Sequence, residues 1–152
     1  MTKVKPVPDG YHTATPYLIV HNAAEAIEYY KLAFGAQEKF RMPGPGNKIM
    51  HAELMIGDST IMLADENFEM KGPNALGGTP TSILLYVEDV DLVFHRALKA
   101  GGTETRSLKN EFYGDRTGGL KDPFGHRWMI STHIEDVTPE EMQQRMMAGA
   151  MA

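Results

Sequence analysis

The stretch Thr13-Ala-Thr-Pro-Tyr-Leu-Ile-Val20, with the helical run that follows it, decides the fold because the chain contains a second copy of it. The second copy opens with Thr81-Ser-Ile-Leu-Leu-Tyr-Val87 and also leads into a helical run. An offset of 67 residues relates corresponding positions of the two copies: Val20 and Val87, Asn22 and Asp89, and Gly35 and Gly102. Self-similarity at a fixed offset predicts two copies of one supersecondary unit.

Local signals place a helix in each copy. Asn22 and Asp89 each offer a side-chain oxygen to the free N–H groups of a first helical turn. Glu25, three residues after Asn22, forms a capping-box pattern with it. Gly35 and Gly102 follow the apolar stripes of the two runs, and we expect both to take the left-handed conformation that ends a helix.

Further strands follow each helix. Residues 48–64 predict two strands joined by a hairpin turn at Gly57-Asp58. Residues 114–132 take the same part in the second copy, around the turn sequence Asp122-Pro-Phe-Gly125. The sequence therefore predicts an α+β fold of two tandem βαβββ modules.

These elements fit one domain of residues 1–152. Module one covers about residues 13–66, and module two covers about residues 80–134. Thr138-Pro-Glu-Glu141 combines a capping Thr, a Pro at the first helical position and a Glu that closes the box. This pattern predicts a C-terminal helix over about residues 138–148.

Composition excludes several classes of protein. The chain has 152 residues, with 15 Lys and Arg against 20 Asp and Glu, and its net charge of −5 argues against a nucleic-acid partner. The absence of cysteine excludes disulfides and thiolate metal sites and fits a reducing compartment. No apolar run approaches the roughly 20 residues that span a bilayer, and residues 1–6 lack the apolar segment of a secretory signal. We expect a cytoplasmic globular protein with no membrane partner.

Several phrases resemble the vicinal oxygen chelate superfamily, which groups glyoxalases, bleomycin-resistance proteins and dioxygenases. Residues 20–35 resemble its first strand–helix unit, and residues 76–80 and 86–91 resemble the start of its second module. Tyr113-Gly-Asp-Arg-Thr-Gly118 is similar to a segment of the PhnB-like branch. Asp122-Pro-Phe-Gly-His-Arg-Trp128, which resembles the same branch, is the most specific of these phrases.

The resemblance covers residues 13–134 and implies that the paired modules curl into a half-open barrel around a cleft. It also implies a homodimer, because pairing of chains closes the exposed edges of such barrels. In metal-dependent members, His, Gln and Glu side chains of both modules hold one divalent ion in the cleft. The resemblance places the corresponding positions at Thr15, Met62, Ser82 and Met129. Hydroxyl and thioether groups are poor ligands for such ions, so we predict no bound metal and no cofactor.

His51 and Glu53 are the candidate catalytic pair. They share strand parity with Met55 and alternate with an apolar set that we expect to face the helix: Ala52, Leu54 and Ile56. A His-x-Glu pair on a cleft face could act as an acid–base pair or hold a metal. The alternative is a hydrogen-bonded polar patch without chemistry.

The predicted cleft lining combines aromatic, aliphatic and thioether groups with a few polar ones. Its members are Thr15, Tyr17, Ile19, His51, Glu53, Met55, Met62, Ser82, Leu84, Tyr86, Arg116 and Met129. Such a lining suits a flat, partly apolar organic molecule, although the same residues could instead fill a collapsed barrel. For Arg116, which follows Asp115 between two glycines, the alternative to ligand contact is an intramolecular ion pair.

Three classes of function remain open at this point. The leading hypothesis is a metal-independent small-molecule binding protein of the bleomycin-resistance type, which sequesters its ligand in the cleft. The second is a lyase, isomerase or dioxygenase-like enzyme that uses His51 and Glu53, with or without a non-standard metal site. The third is an interaction module whose Met-rich C-terminal helix docks a partner.

Overall fold

The computed structural model describes residues 3–150, so residues 1–2 and 151–152 of the predicted domain lie outside the described part. Module one contains β1 (Tyr17–Val20), α1 (Ala23–Phe34), β2 (Gln37–Pro43), β3 (Ile49–Ile56) and β4 (Ser59–Asp65). A short helix, α2 (Pro73–Leu76), lies between the modules. Module two contains β5 (Ser82–Tyr86), α3 (Val90–Lys99), β6 (Thr103–Asn110), β7 (Asp115–Lys121) and β8 (Arg127–His133), and α4 (Pro139–Ala150) follows it. The predicted α+β fold of two βαβββ modules with a C-terminal helix is confirmed.

The two sheets share one topology and one register. Their strand orders are β1-β4-β3-β2 and β5-β8-β7-β6, and in each the first strand is parallel to the last while the other pairs are antiparallel. Tyr17 lies opposite Met62 in the first sheet, and Leu84 lies opposite Met129 in the second. Both pairs are related by the offset of 67 residues, so the repeat extends to the strand register. Both sheets are open.

The helix signals are largely as predicted. Asn22 Oδ1 accepts a hydrogen bond from the backbone N–H of Glu25, and Asp89 Oδ1 caps α3 in the same way. Gly35 takes the left-handed conformation, with φ of 69°. The prediction for Gly102 was wrong, because the left-handed residue after α3 is Gly101, with φ of 130°. Position 102 requires a glycine for a steric reason, because a Cβ there would lie 2.7 Å from Tyr29 Oη.

The last strand of each module anchors the start of its helix. Asp65 Oδ1 accepts a hydrogen bond from the backbone N–H of Ala23 at 2.9 Å. At the repeat-related position, Thr132 Oγ1 accepts one from the backbone N–H of Val90 at 3.0 Å. These bonds satisfy N–H groups that the helix leaves free and fix each helix against its own sheet.

The core lies between the helix-facing sides of the two sheets. Helices α1 and α3 pack against each other, and the Tyr29 hydroxyl of α1 donates to Ala97 O of α3 at 3.0 Å. Trp128 of β8 packs on α1, with ring centroids 5.4 Å from Tyr30 and 4.6 Å from Phe34. One buried apolar cluster therefore includes residues of both modules, and the opposite face of each sheet is left open.

Within residues 3–150, none of the helices combines the length and the apolar character that crossing a bilayer requires.

Candidate functional site

The open face of the first sheet brings together six of the predicted residues. Strand alternation places them on the side opposite the buried set of Leu18, Val20, Ala52, Leu54 and Ile56. They are Tyr17 and Ile19 of β1, His51, Glu53 and Met55 of β3, and Met62 of β4. Phe40 of β2 lies opposite Glu53 on the same face. A register shift between Glu38 and Phe40 determines the face of the sheet on which the Phe40 side chain lies. Simple alternation along the sequence therefore did not predict that Phe40 belongs to this face.

A chain of hydrogen bonds crosses this face. Tyr17 Oη lies 2.9 Å from His51 Nδ1, and His51 Nε2 lies 3.2 Å from Glu53 Oε1. The second carboxylate oxygen, Glu53 Oε2, accepts a hydrogen bond from the hydroxyl of Tyr11. His51 and Glu53 are thus a bonded pair within a four-residue chain that begins at Tyr17 and ends at Tyr11.

Sequence reasoning missed Tyr11, which reaches the site from the segment before β1. Thr60 Oγ1 donates to Gly10 O at 2.7 Å and so ties this segment to β4. The Lys39 ammonium lies 4.7 Å from the centroid of the Tyr11 ring. The hydrogen bond to Glu53, with burial, raises the pKa of Tyr11 to about 12, so its phenol stays protonated as a donor.

The donors and acceptors of this chain fix its protonation. The Tyr11 hydroxyl and then His51 hold the pKa of Glu53 below its ordinary value, so the carboxylate is ionised and only accepts. His51 then donates from Nε2, and when its imidazole is neutral Nδ1 is an acceptor. The Tyr17 hydroxyl is then the donor to Nδ1, and the pKa of Tyr17 is raised by burial and by the charge of Glu53. With His51 neutral, every bond in the chain runs from Tyr17 or Tyr11 towards Glu53.

The open face of the second sheet holds four other predicted residues: Ser82, Leu84, Tyr86 and Met129. Its polar centre is Asp115, a buried carboxylate that accepts from the Tyr86 hydroxyl at 2.7 Å and from His133 Nδ1 at 2.8 Å. His133 Nε2 donates to Asp136 at 2.8 Å. Asp136 and then Asp115 raise the pKa of His133, because both of its nitrogens donate to carboxylates. The sequence did not predict that His133 and Asp136 would belong to this cluster.

Arg116 and Thr15 do not join these faces as predicted. Arg116 follows Asp115 along β7, so its side chain lies on the helix side of the sheet, where Nε and Nη2 each donate to Asp91 at 2.8 Å. The intramolecular ion pair is thus the alternative that the structure contains. Thr15 precedes β1, and its hydroxyl donates to the backbone carbonyl of His12 at 3.1 Å.

The residues at the positions that the family resemblance assigns to metal ligands do not fit a divalent ion. These residues are Thr15 and Ser82, which carry hydroxyls, and Met62 and Met129, which carry thioethers. Each is a poor donor for Zn²⁺, Mn²⁺ or Fe²⁺, and the Thr15 hydroxyl is already bonded to a backbone carbonyl. Among residues 3–150, no three His, Asp or Glu side chains converge in a way that could hold a metal.

Two grooves lie where the modules meet. The larger, of about 660 Å³, lies between β5 and the β3–β4 hairpin and includes Leu84 and Tyr86. The smaller, of about 270 Å³, lies between β1, the segment that carries α2, and His126, and it includes Tyr17 and Ile19. The repeat offset carries Tyr17 and Ile19 onto Leu84 and Tyr86, so the grooves are related by the internal repeat.

Comparison with known proteins identifies the family. Residues 11–130 match the model of the Glyoxalase/Bleomycin resistance protein/Dioxygenase superfamily. The chain belongs to this superfamily, and the resemblance predicted from its sequence is confirmed.

Relatives and solved structures match most of the chain. Rv0887c, an uncharacterized protein of Mycobacterium tuberculosis, is 44% identical over 137 residues, which cover 87% of this chain and 81% of the relative. The crystal structure of PA1353 from Pseudomonas aeruginosa is 27% identical, with a TM-score of 0.66, and covers 82% of this chain and 99% of that one. A PhnB protein from Bacillus cereus, 20% identical, has the same fold, with a TM-score of 0.63 over 80% of this chain and 99% of that one.

Proposed function

We propose that this protein binds a partly apolar organic molecule without a metal and acts by sequestering it. The observation that carries the proposal is the exposure of large apolar and aromatic side chains on the open sheet faces. Tyr17 and Leu84 are each 46% exposed, Phe40 is 49% exposed and Tyr86 is 65% exposed. Apolar surface of this kind, interleaved with a few polar groups, is typical of a ligand-binding site.

The donor chemistry supports the metal-independent form of the proposal. Hydroxyls and thioethers occupy the positions that the family resemblance assigns to metal ligands, and a thioether packs against an organic ligand more readily than it binds a hard cation. Burial of apolar area and aromatic contact would then supply the binding free energy, with the Tyr17 and Tyr86 hydroxyls as orienting groups.

A second candidate function is an enzyme of the lyase, isomerase or dioxygenase-like kind. The bonded chain of Tyr17, His51 and Glu53 favours it, because an imidazole oriented by a carboxylate is a common general base. The two functions differ in one outcome, which is whether the bound molecule leaves the site chemically changed.

We further propose a homodimer in the cytoplasm. The two modules share one fold, so a two-fold axis can pair the open face of the first sheet with the open face of the second sheet of another copy. The same axis generates a second, identical contact between the remaining two faces. Such pairing would enclose the exposed side chains of both faces. Light scattering at micromolar concentration should give twice the 16.9 kDa mass of the chain, and a monomer would contradict this arrangement.

A thermal-shift screen tests the binding function. The panel consists of aromatic antibiotics and thiol conjugates, each with EDTA and with added Zn²⁺, Ni²⁺ or Mn²⁺. We expect at least one compound to raise the melting temperature equally in EDTA and in metal, and mass spectrometry to recover it unchanged. A compound that is converted, with conversion lost in His51→Ala, would establish the enzyme instead.

Matched variants locate the site. Leu84→Ser removes apolar surface from an open face, whereas Leu32→Ser changes a leucine on α1 that is more exposed, 64% against 46%. We expect the first to weaken the ligand-induced shift and the second to leave it unchanged. Equal effects of the two variants would place binding elsewhere.

A further inference from the structure

The smaller groove and the hydrogen-bonded chain share one residue, Tyr17. The groove is lined by Tyr17, Ile19, Lys71, Pro73, Leu76 and His126, together with residues 78–80. Its volume of about 270 Å³ is at the lower limit of ligand pockets, which span roughly 300–1,000 Å³. A molecule with a single ring fits a space of this size.

The direction of the chain decides what Tyr17 can offer to such a molecule. When His51 is neutral, the Tyr17 hydroxyl donates its proton to His51 Nδ1 at 2.9 Å, because His51 Nε2 donates to Glu53. In that state no group among the described residues donates to Tyr17 Oη, so its lone pairs are available to a ligand. The complementary ligand group is a hydrogen-bond donor, and an acidic O–H makes the strongest bond of this kind.

We propose that the smaller groove binds a weakly acidic monocyclic compound, a phenol or an enol, and ionises it through Tyr17 and His51. The inference rests on the proposed small-molecule binding function and names the class of ligand. The ligand O–H bond breaks, and its electron pair stays on the ligand oxygen. The ligand proton passes to Tyr17 Oη while the Tyr17 proton passes to His51 Nδ1. The products are a bound phenolate or enolate and an imidazolium beside the Glu53 carboxylate, so the net change is the transfer of one proton from the ligand to His51, and nothing is oxidised.

The charges around the chain suit this transfer. His51 bonds to Tyr17 of β1 and to Glu53 of β3. Tyr11 of the segment before β1 donates to Glu53, and the ammonium of Lys39 of β2 lies over the Tyr11 ring. The ionised Glu53 stabilises an imidazolium, and the raised pKa of Tyr17 makes this phenol a carrier of the proton and not the site of a lasting negative charge. Lys71, which forms no ion pair within residues 3–150, supplies a cation at the groove for the ligand oxyanion.

Absorption spectroscopy with 4-nitrophenol tests the proposal, because its phenolate has an absorption band that the neutral phenol lacks. The full-length protein is titrated with 4-nitrophenol, and the apparent pKa of the bound probe is compared with that of the free probe. We expect binding to lower it by about one unit, a roughly tenfold change in the ionisation constant. Binding of 4-nitroanisole, which has no acidic O–H, serves as the matched ligand control.

Variants separate the relay from simple binding. Tyr17→Phe and His51→Gln should each abolish the lowered apparent pKa, whereas 4-nitroanisole should bind them as it binds the wild type. His95→Gln changes a histidine on α3 that lines neither groove, and it should leave the ionisation unchanged. His51→Gln keeps Tyr17 in place, so it tests the relay even where Tyr17→Phe perturbs folding.

Each contrary result has a distinct meaning. A probe bound as the neutral phenol, or ionised equally in His51→Gln, overturns the relay and leaves the small-molecule binding function standing. No binding of either probe, by a protein that binds compounds of the thermal-shift screen, also overturns the inference alone. Failure of the whole screen overturns the proposed function and the inference together.

Discussion

The Tyr30 hydroxyl on α1 donates a hydrogen bond to Asp122 Oδ2 in module two, at 2.6 Å. Trp128 Nε1 donates to the same oxygen at 2.8 Å, and the backbone N–H groups of Phe124 and His126 donate to Oδ1. A carboxylate that is 2% exposed therefore has four donors, from both modules. The phrase Asp122–Trp128, the most specific part of the family resemblance, joins the two modules and is not part of the open faces.

Asp122→Asn should destabilise the protein strongly. The amide nitrogen cannot accept from the Tyr30 hydroxyl or from Trp128 Nε1, so two buried donors lose their partner at a total cost of about 3 kcal/mol. Urea unfolding of the wild type and the variant measures the difference. Asp58→Asn, in the exposed β3–β4 turn, is the control and should change stability by less than about 0.5 kcal/mol. A similarly small loss in Asp122→Asn would contradict the role assigned to this carboxylate.

Arg116→Ala should lower stability slightly and leave ligand binding unchanged. Its guanidinium pairs with Asp91 at the start of α3, on the side of the sheet away from the open face. Asp91→Ala should have the same effect, and the double variant should be no less stable than either single one. The loss should disappear in about 1 M NaCl, which screens an exposed pair. Weaker ligand binding in Arg116→Ala, with normal binding in Asp91→Ala, would restore the ligand-binding role predicted from the sequence.

The chain from Tyr11 to Tyr17 should make stability depend on pH in the acid range. The folded pKa of Glu53 is lowered by the Tyr11 hydroxyl and by His51. The contribution of Glu53 to the free energy of unfolding is therefore complete above the ordinary pKa of 4.5. This contribution is lost as pH falls through the lower pKa that Glu53 has in the folded protein. Urea midpoints from pH 6 to pH 3 should fall more steeply in the wild type than in Glu53→Gln. Parallel curves would show that these bonds contribute nothing to the pH dependence.

His133 should act in the opposite direction. Asp136 and Asp115 raise its folded pKa above the ordinary value of 6.5, so its contribution is complete below pH 6.5 and is lost as pH rises through the folded value. The stability advantage of the wild type over His133→Gln should therefore shrink between neutral and mildly alkaline pH. An advantage that is constant or grows over this range would contradict the double hydrogen bonding of His133.

Much of the fold could be predicted because its signals are local and occur twice. The caps at Asn22 and Asp89 follow from side-chain chemistry. The offset of 67 residues predicted that the two modules share one fold, and the pairs Tyr17–Met62 and Leu84–Met129 are related by the same offset. Strand alternation also placed His51 and Glu53 on the open face. Each of these inferences needs only the chain's own periodicity.

The rest of the site depends on contacts that periodicity does not encode. Arg116 is the next residue after Asp115 along the strand, so its side chain points to the opposite face of the sheet, towards the helix. The register shift in β2 sets the side on which Phe40 lies. Tyr11 reaches Glu53 across 42 residues of sequence from a segment without regular structure, so no local pattern connects the two.

The most direct test of metal-independent binding is isothermal titration of the strongest compound from the thermal-shift screen. The compound is titrated into protein dialysed against EDTA and into protein supplied with Zn²⁺, Ni²⁺ or Mn²⁺, with elemental analysis of both samples. We predict the same Kd in both and no stoichiometric metal retained after dialysis. Binding only by protein that retains one equivalent of metal per chain, with the metal lost in His51→Ala/Glu53→Ala, would contradict the account.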